Sequence, residues 1–109
     1  MKKFSFSIPE AVLALQDGTD KPYVVMMENG SMRVEYFVPV VKDTQQPHLQ
    51  DELYVIASGT TEFVRDKEVI SCNTGDVIFV PAGMDHRFIS FSQDFAAWVI
   101  FYGAEGGES

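Results

Sequence analysis

The sequence predicts an all-β fold, a sandwich or barrel of short strands, with one short helix near the N-terminus. Three observations carry this prediction. Short apolar and aromatic runs recur along almost the whole chain, and residues with strong turn chemistry punctuate them: Asn29-Gly30, Ser58-Gly59, Asn73-Thr74-Gly75 and Pro81-Ala82-Gly83. Only one segment carries a helix signal. The chain has 109 residues, 46% hydrophobic and 13% aromatic, which suits a single packed core.

Taken in order, Phe4 to Ile8 reads as a short edge strand. The helix follows over about residues 9–16, with Ser7 as its N-cap, Pro9 in the first turn and Glu10 near the positive end. Gly18 ends it. Tyr23 to Glu28 and Ser31 to Val40 form two strands joined through Asn29-Gly30, a strong hairpin signal between apolar runs. In the second strand Met32, Val34, Tyr36 and Val38 share one face, and Arg33, Glu35 and Phe37 share the other. Leu53 to Ser58 reads as a strand buried on both sides. Thr60 to Val64 and Val69 to Cys72 flank a charged tip, Arg65-Asp66-Lys67-Glu68. Asp76 to Val80, Asp85 to Phe91 and Phe95 to Tyr102 complete the set. One domain over residues 1–109 is expected, with a barrel core over about 21–103 and a Gly/Glu-rich tail, 104–109, that frays.

Two stretches carry chemistry. In the first, His48 and Glu52 stand four residues apart at the mouth of an apolar segment. A strand sends alternate residues to one face, so His48, Gln50, Glu52, Tyr54 and Ile56 share a parity and, in an unbroken strand, would share a wall. A neutral imidazole beside an ionised carboxylate is a ready pair of metal ligands. In the second, Gly75 to Val80 leads through the Pro81-Ala82-Gly83 turn to His86. His48 and His86 are the only two histidines in the chain, and both sit at strand mouths.

These residues resemble the motifs of the cupin superfamily, in particular its small single-domain, conserved-barrel members. The first motif, G-x5-H-x-H-x3,4-E-x6-G, is matched by His48, Glu52 and Gly59, with Gln46 at the position of its first histidine. The second, G-x5-P-x-G-x2-H-x3-N, is matched by Gly75, Pro81, Gly83 and His86, with Ser90 at the closing Asn. The similarity runs from about Met32 to Phe101. It implies a jelly-roll barrel, a double-stranded β-helix with its site inside one end. It also implies a divalent metal ion (iron, zinc, manganese or nickel) held by His48, Glu52 and His86, with Gln46 as a fourth, weaker ligand and Gln45 as its rival if the loop is bulged. Glu52, released from the ion, is the candidate proton acceptor.

By parity the expected pocket walls are Tyr54 and Ile56 after Glu52, Phe88 after His86, and Met84 at the mouth. Tyr36 and Trp98 are expected from the flanking strands. The opposite parities, Arg33/Glu35/Phe37 and Val99/Phe101, remain open alternatives. Such an apolar, aromatic pocket with a few polar groups fits a small, partly apolar molecule. The function expected is therefore a metal-dependent enzyme, dioxygenase-like with iron and isomerase- or lyase-like with other metals. The alternative is a module that binds or senses a small molecule or metal without turnover.

The formal charge of −8 argues against nucleic acid or an anionic membrane as a partner. Cys72 is the only cysteine, so no internal disulfide forms, which fits a reducing cytoplasm. The N-terminal segment has neither the apolar core nor the cleavage site of a signal peptide, and Phe95 to Tyr102 is too short to span a bilayer. Leu53, Val55, Ile89 and Phe91 have the parity opposite to the ligands. As apolar residues outside a barrel they suggest a homodimer.

Overall fold

A computed structural model describes residues 4–18, 20–40 and 47–108. One helix, α1 (Ile8–Gly18), precedes eight strands: β1 (Tyr23–Asn29), β2 (Met32–Phe37), β3 (Asp51–Ser58), β4 (Thr60–Arg65), β5 (Glu68–Asn73), β6 (Val77–Val80), β7 (His86–Phe91) and β8 (Ala96–Tyr102). They form a five-stranded sheet in the order β1-β2-β8-β3-β6 and a three-stranded sheet in the order β5-β4-β7, all pairs antiparallel. This is the all-β, jelly-roll arrangement expected. None of the described helices is long and apolar enough to cross a membrane.

The inner faces of the two sheets meet in one core. Tyr54, Ile56, Ile78, Val80, Val99 and Phe101 come from the large sheet, and Phe63, Cys72 and Phe88 from the small one. Phe88 lies at its centre, with ring centroids 4.8 Å from Phe63, 4.9 Å from Phe95 and 5.0 Å from Tyr54. Edge and tilted ring contacts of this kind add about 0.5–1.5 kcal/mol each beyond the apolar area they bury. Cys72 is buried here as a small apolar residue, and burial pushes its thiol pKa up, with Asp76 adding to the shift.

The outer face of the large sheet is covered over β2 and β8. Ala11 and Leu15 of α1 pack with Tyr36, Ala96 and Trp98 in a second cluster. The helix begins where its capping chemistry dictates: Glu10 N–H donates to Ser7 Oγ, and Ser7 N–H donates to the Glu10 carboxylate, each at 3.2 Å. Residues 4–7 take no strand pairing, so the edge strand expected over Phe4 to Ile8 is not formed; Ile8 already belongs to α1. Phe6 instead lies 5.7 Å from the Trp98 ring. An apolar N-terminal segment satisfies itself equally well by covering a sheet face as by extending a sheet edge.

The tail, expected to fray over residues 104–109, makes backbone hydrogen bonds to the body of the fold within residues 104–108. Gly106 N–H donates to the Leu49 carbonyl at 2.7 Å, and Glu108 N–H donates to Asp51 Oδ2 at 2.9 Å. Asp51 Oδ1 also accepts from Ala82 N–H at 2.9 Å. These two backbone donors hold the Asp51 carboxyl below the usual aspartate range. One carboxylate thus fastens the tail, the turn before β7 and the start of β3 together.

Gly59 makes the corner at which the chain leaves the large sheet for the small one. Its φ is +78°, and a Cβ there would lie 2.9 Å from both Phe95 Cα and Asp94 Oδ1, and against Ser92 Oγ. Gly75 has a similar φ of +95° but open space around it. Gly75→Ala is therefore expected to cost only the left-handed backbone strain, about 1–3 kcal/mol. Gly59→Ala should cost more, because backbone must also move, and urea denaturation of the two variants side by side measures the difference.

Candidate metal centre

Three elements deliver the three candidate ligands. Glu52 is the second residue of β3, and its register sets it beside Phe101 of β8 and Val80 of β6, on the inner face. His86 opens β7 in the opposite sheet. His48 stands in the segment that leads into β3, and its backbone carbonyl accepts from Gly83 N–H at 2.8 Å. That bond joins the His48 segment to the Pro81-Ala82-Gly83 turn, which explains how two motifs distant in sequence meet. Gly83 adopts φ +79°, a conformation its turn requires and glycine adopts without strain.

The ligand atoms of His48, Glu52 and His86 all lie within 4.8 Å of one another. Glu52 is 0% exposed and His86 1%. Glu52 Oε1 is 3.1 Å from His86 Nε2 and 3.9 Å from His48 Nε2. The His48 ring is half-buried against Phe101, with centroids 4.9 Å apart, and faces His86 at 5.3 Å. Among the described residues, neither carboxylate oxygen of Glu52 has a hydrogen-bond partner.

The protonation of His86 follows from its surroundings. Nδ1 lies 2.9 Å from the Met84 carbonyl, which can only accept, so Nδ1 carries a proton. In the neutral ring Nε2 then presents a lone pair toward Glu52 Oε1 and toward the Tyr54 hydroxyl, 3.1 Å away. The hydroxyl can donate to that lone pair; an ionised carboxylate cannot. Two buried lone pairs facing each other call for a positive charge between or upon them, either a metal ion or a second proton on the imidazole. A histidine whose far nitrogen is fixed by a carbonyl is also the usual outer arrangement of a metal ligand. The residues present therefore fit a divalent ion.

The pocket walls divide by parity. Tyr54, Ile56 and Phe88 are inward and buried, as expected, and Met84 packs against the same core. Tyr36 and Trp98 are not part of this interior. They pair with each other across β2 and β8 on the outer face, ring centroids 5.0 Å apart, under α1. Burial there raises the Tyr36 hydroxyl pKa. The inward set of β2 is Arg33, Glu35 and Phe37, in register with Phe101, Val99 and Ala97. Gln46 and Gln45 lie outside the described residues.

Arg33 and Glu35 were the open alternative in sequence, and they change the character of the site. Arg33 Nε lies 2.8 Å from Glu35 Oε2, and its guanidinium lies 4.8 Å over the Phe101 ring. Glu35 is buried, and its carboxyl pKa is raised, first by burial; Arg33 opposes the shift and the nearby Glu52 charge adds to it. Two charged residues spaced two apart in an otherwise apolar strand were the available signal, because that spacing places them on one face. Arg33, His48, Gln50 and Phe101 line a cavity of about 320 Å³ at the barrel mouth. Gln50 spends its amide N–H groups on the Ser31 and Gly103 carbonyls, at 2.8 and 2.9 Å, and so shapes the rim.

Comparison with known proteins gives a concordant result. The family model described as Cupin domain matches residues 34–102. An uncharacterized protein of Streptomyces coelicolor is 33% identical over 103 residues, covering 93% of this chain and 95% of its own. A solved structure of unknown function from Rhizobium leguminosarum superposes with a TM-score of 0.74 at 16% identity, over 95% of this chain and 100% of that one. A cupin superfamily protein from Desulfitobacterium hafniense superposes with a TM-score of 0.65 at 19% identity, over 92% and 93%. At such identities the structural likeness speaks for the fold.

The tautomer is directly observable. Long-range ¹⁵N–¹H correlation of the metal-free protein at neutral pH is expected to show the His86 proton on Nδ1. A neutral ring protonated on Nε2 alone would contradict the Met84 contact.

Proposed function

The chain belongs to the cupin domain family, and from that premise we propose that it is a divalent-metal cupin. His48, Glu52 and His86 would hold the ion, and a small, partly apolar molecule would be turned over at the barrel mouth. The observation that carries this reading is the buried Glu52 carboxylate, whose oxygens have no hydrogen-bond partner among the described residues and which faces the unprotonated side of His86. A buried carboxylate without a compensating charge is costly. Two imidazoles and one carboxylate form a facial set suited to a first-row divalent metal.

A bound ion would supply Lewis acidity or, if it is iron, oxygen activation. The chain's own residues do the rest. The Met84 carbonyl fixes the His86 tautomer, so its basic nitrogen always points inward. Phe101 and Tyr54 exclude water around Glu52. His48, the one partly exposed member of the trio, faces the mouth where a substrate enters. Glu52 remains the group placed to take a proton.

One observation favours a second reading. A separation of 3.1 Å between His86 Nε2 and Glu52 Oε1 also suits an imidazolium–carboxylate ion pair, which would leave a binding module without metal. Calorimetric titration of metal-free protein with Zn²⁺, Mn²⁺, Ni²⁺ and Fe²⁺ separates the two. One site per chain is expected. Glu52→Gln and His86→Ala should each weaken it by more than the 10–100-fold (roughly) that losing an outer-shell partner costs. No uptake by the wild type, or wild-type affinity in both variants, would overturn the metal reading and leave the ion pair.

A homodimer belongs to the same reading. On the outer face of β3 and β6, Leu53 and Val55 are half-buried beside Val77 and Phe79, which are 61% and 43% exposed. A second copy of this chain would cover that apolar strip. Sedimentation at micromolar concentration is expected to show a dimer that Phe79→Asp dissociates; a wild-type monomer would remove this part of the proposal.

A further inference from the structure

The inner row of the large sheet has a consequence for the kind of molecule the site takes. Arg33 of β2 pairs with Phe101 of β8, and Phe101 pairs with Glu52 of β3. The guanidinium and the candidate metal ligand therefore lie in one cross-strand row, with only the Phe101 strand between them. At the usual spacing of neighbouring strands their Cα atoms are about 10 Å apart. Phe101 joins them physically: its ring has the Arg33 guanidinium 4.8 Å from its centroid and the His48 ring at 4.9 Å. Arg33, His48 and Phe101 line the same cavity, whose volume of about 320 Å³ lies at the small end of the range for small-molecule sites.

The chemistry of Arg33 is only partly used. Glu35 engages it through Nε, and Phe101 supports one face of its plane. Its side chain is 41% exposed, whereas that of Glu35 is 9% exposed. The buried carboxylate and the aromatic plate thus orient the guanidinium of a side chain that is partly exposed and lines the cavity at the mouth. That fork matches the two oxygens of a carboxylate. Charge points the same way. The Arg33–Glu35 pair is neutral as an ion pair, so a divalent ion on Glu52 leaves the interior with one positive charge. Without the ion the interior carries one negative charge. Glu105 also lines the cavity, on its exposed rim, where water screens it.

We propose that Arg33 is the substrate-anchoring residue of this site, and that its ligand is a small carboxylate monoanion with a short apolar portion. The carboxylate sits on the guanidinium, and the apolar portion lies along Phe101 toward His48. This rests on the metal reading, since the ion makes the interior attractive to an anion. Glu35 is a positioning residue that acts through Arg33.

The test is calorimetric titration of the zinc-loaded protein with isovalerate and pyruvate, alongside isovaleramide as an uncharged isostere and inorganic phosphate. Saturable binding of at least one carboxylate is expected, with none for the amide. Arg33→Met should weaken carboxylate binding about 10–100-fold, the loss expected for charge-assisted hydrogen bonds, while zinc affinity and the circular dichroism spectrum stay unchanged. Arg33→Lys, which keeps the charge on a fold-preserving side chain, should retain part of the binding, and metal-free protein should show none. Normal zinc uptake without carboxylate binding overturns this inference alone. So does binding that is unaffected in both Arg33 variants, or a preference for phosphate or the amide. A flat zinc titration overturns the metal centre itself and with it the charge argument made here.

Discussion

The buried approach of the Glu52 carboxylate to His86 Nε2, 3.1 Å apart, is the contact around which the barrel mouth is built. The two side chains come from opposite sheets, so the contact exists only because the sheets close upon one another. It is an expensive arrangement in a low-dielectric interior unless a positive charge completes it. The hydrogen bond from His86 Nδ1 to the Met84 carbonyl fixes which face of the imidazole meets the carboxylate. The orientation of both groups is thereby set by the protein itself, and the aromatic residues beneath them pack against the same contact.

The backbone around this contact is braced by a small number of bonds. Gly83 N–H to the His48 carbonyl joins the two histidine-bearing segments, and Asp51 gathers Ala82 and Glu108 on one carboxylate. The C-terminal residues thus form part of the rim, and Gln50 ties that rim to Ser31 and Gly103. His48 belongs to a connecting segment, yet its position is set by these long-range bonds. On the same sheet as Glu52, Arg33 and Glu35 give the mouth a cation of its own, with one strand between it and the Glu52 strand. The mouth thus carries a cationic group and, one strand away, a buried carboxylate, so charges of both signs meet there.

Much of this was legible in the chain, for identifiable reasons. Asn29-Gly30, Gly59, Gly75 and Gly83 announce turns because each glycine takes a positive φ that other residues adopt only with strain. His48, Glu52 and His86 match the spacing of the family's motifs, although they come from a connecting segment and two different strands. Ser7 and Glu10 spell out a capping box. Tyr36 and Trp98 were misplaced because both faces of β2 and β8 are covered: one meets the core, the other meets α1. Alternation distinguishes inside from outside only where one side meets water. The charged pair Arg33/Glu35 stayed an open alternative in the sequence, and in the structure it lies on the inward face.

The sequence by itself determined the all-β class and the corners of the barrel, since these rest on local backbone preference and on periodicity two; that His48, Glu52 and His86 belong together was implied by their match to the family's motifs. Only the tertiary structure decided which faces of β2 and β8 look inward, that the tail closes over the rim, and that Glu52 meets the basic nitrogen of His86. Those are properties of register and of sheet-to-sheet packing. Shifting a strand by one residue leaves every local preference intact and reverses every side chain, so the choice is made by partners distant along the chain.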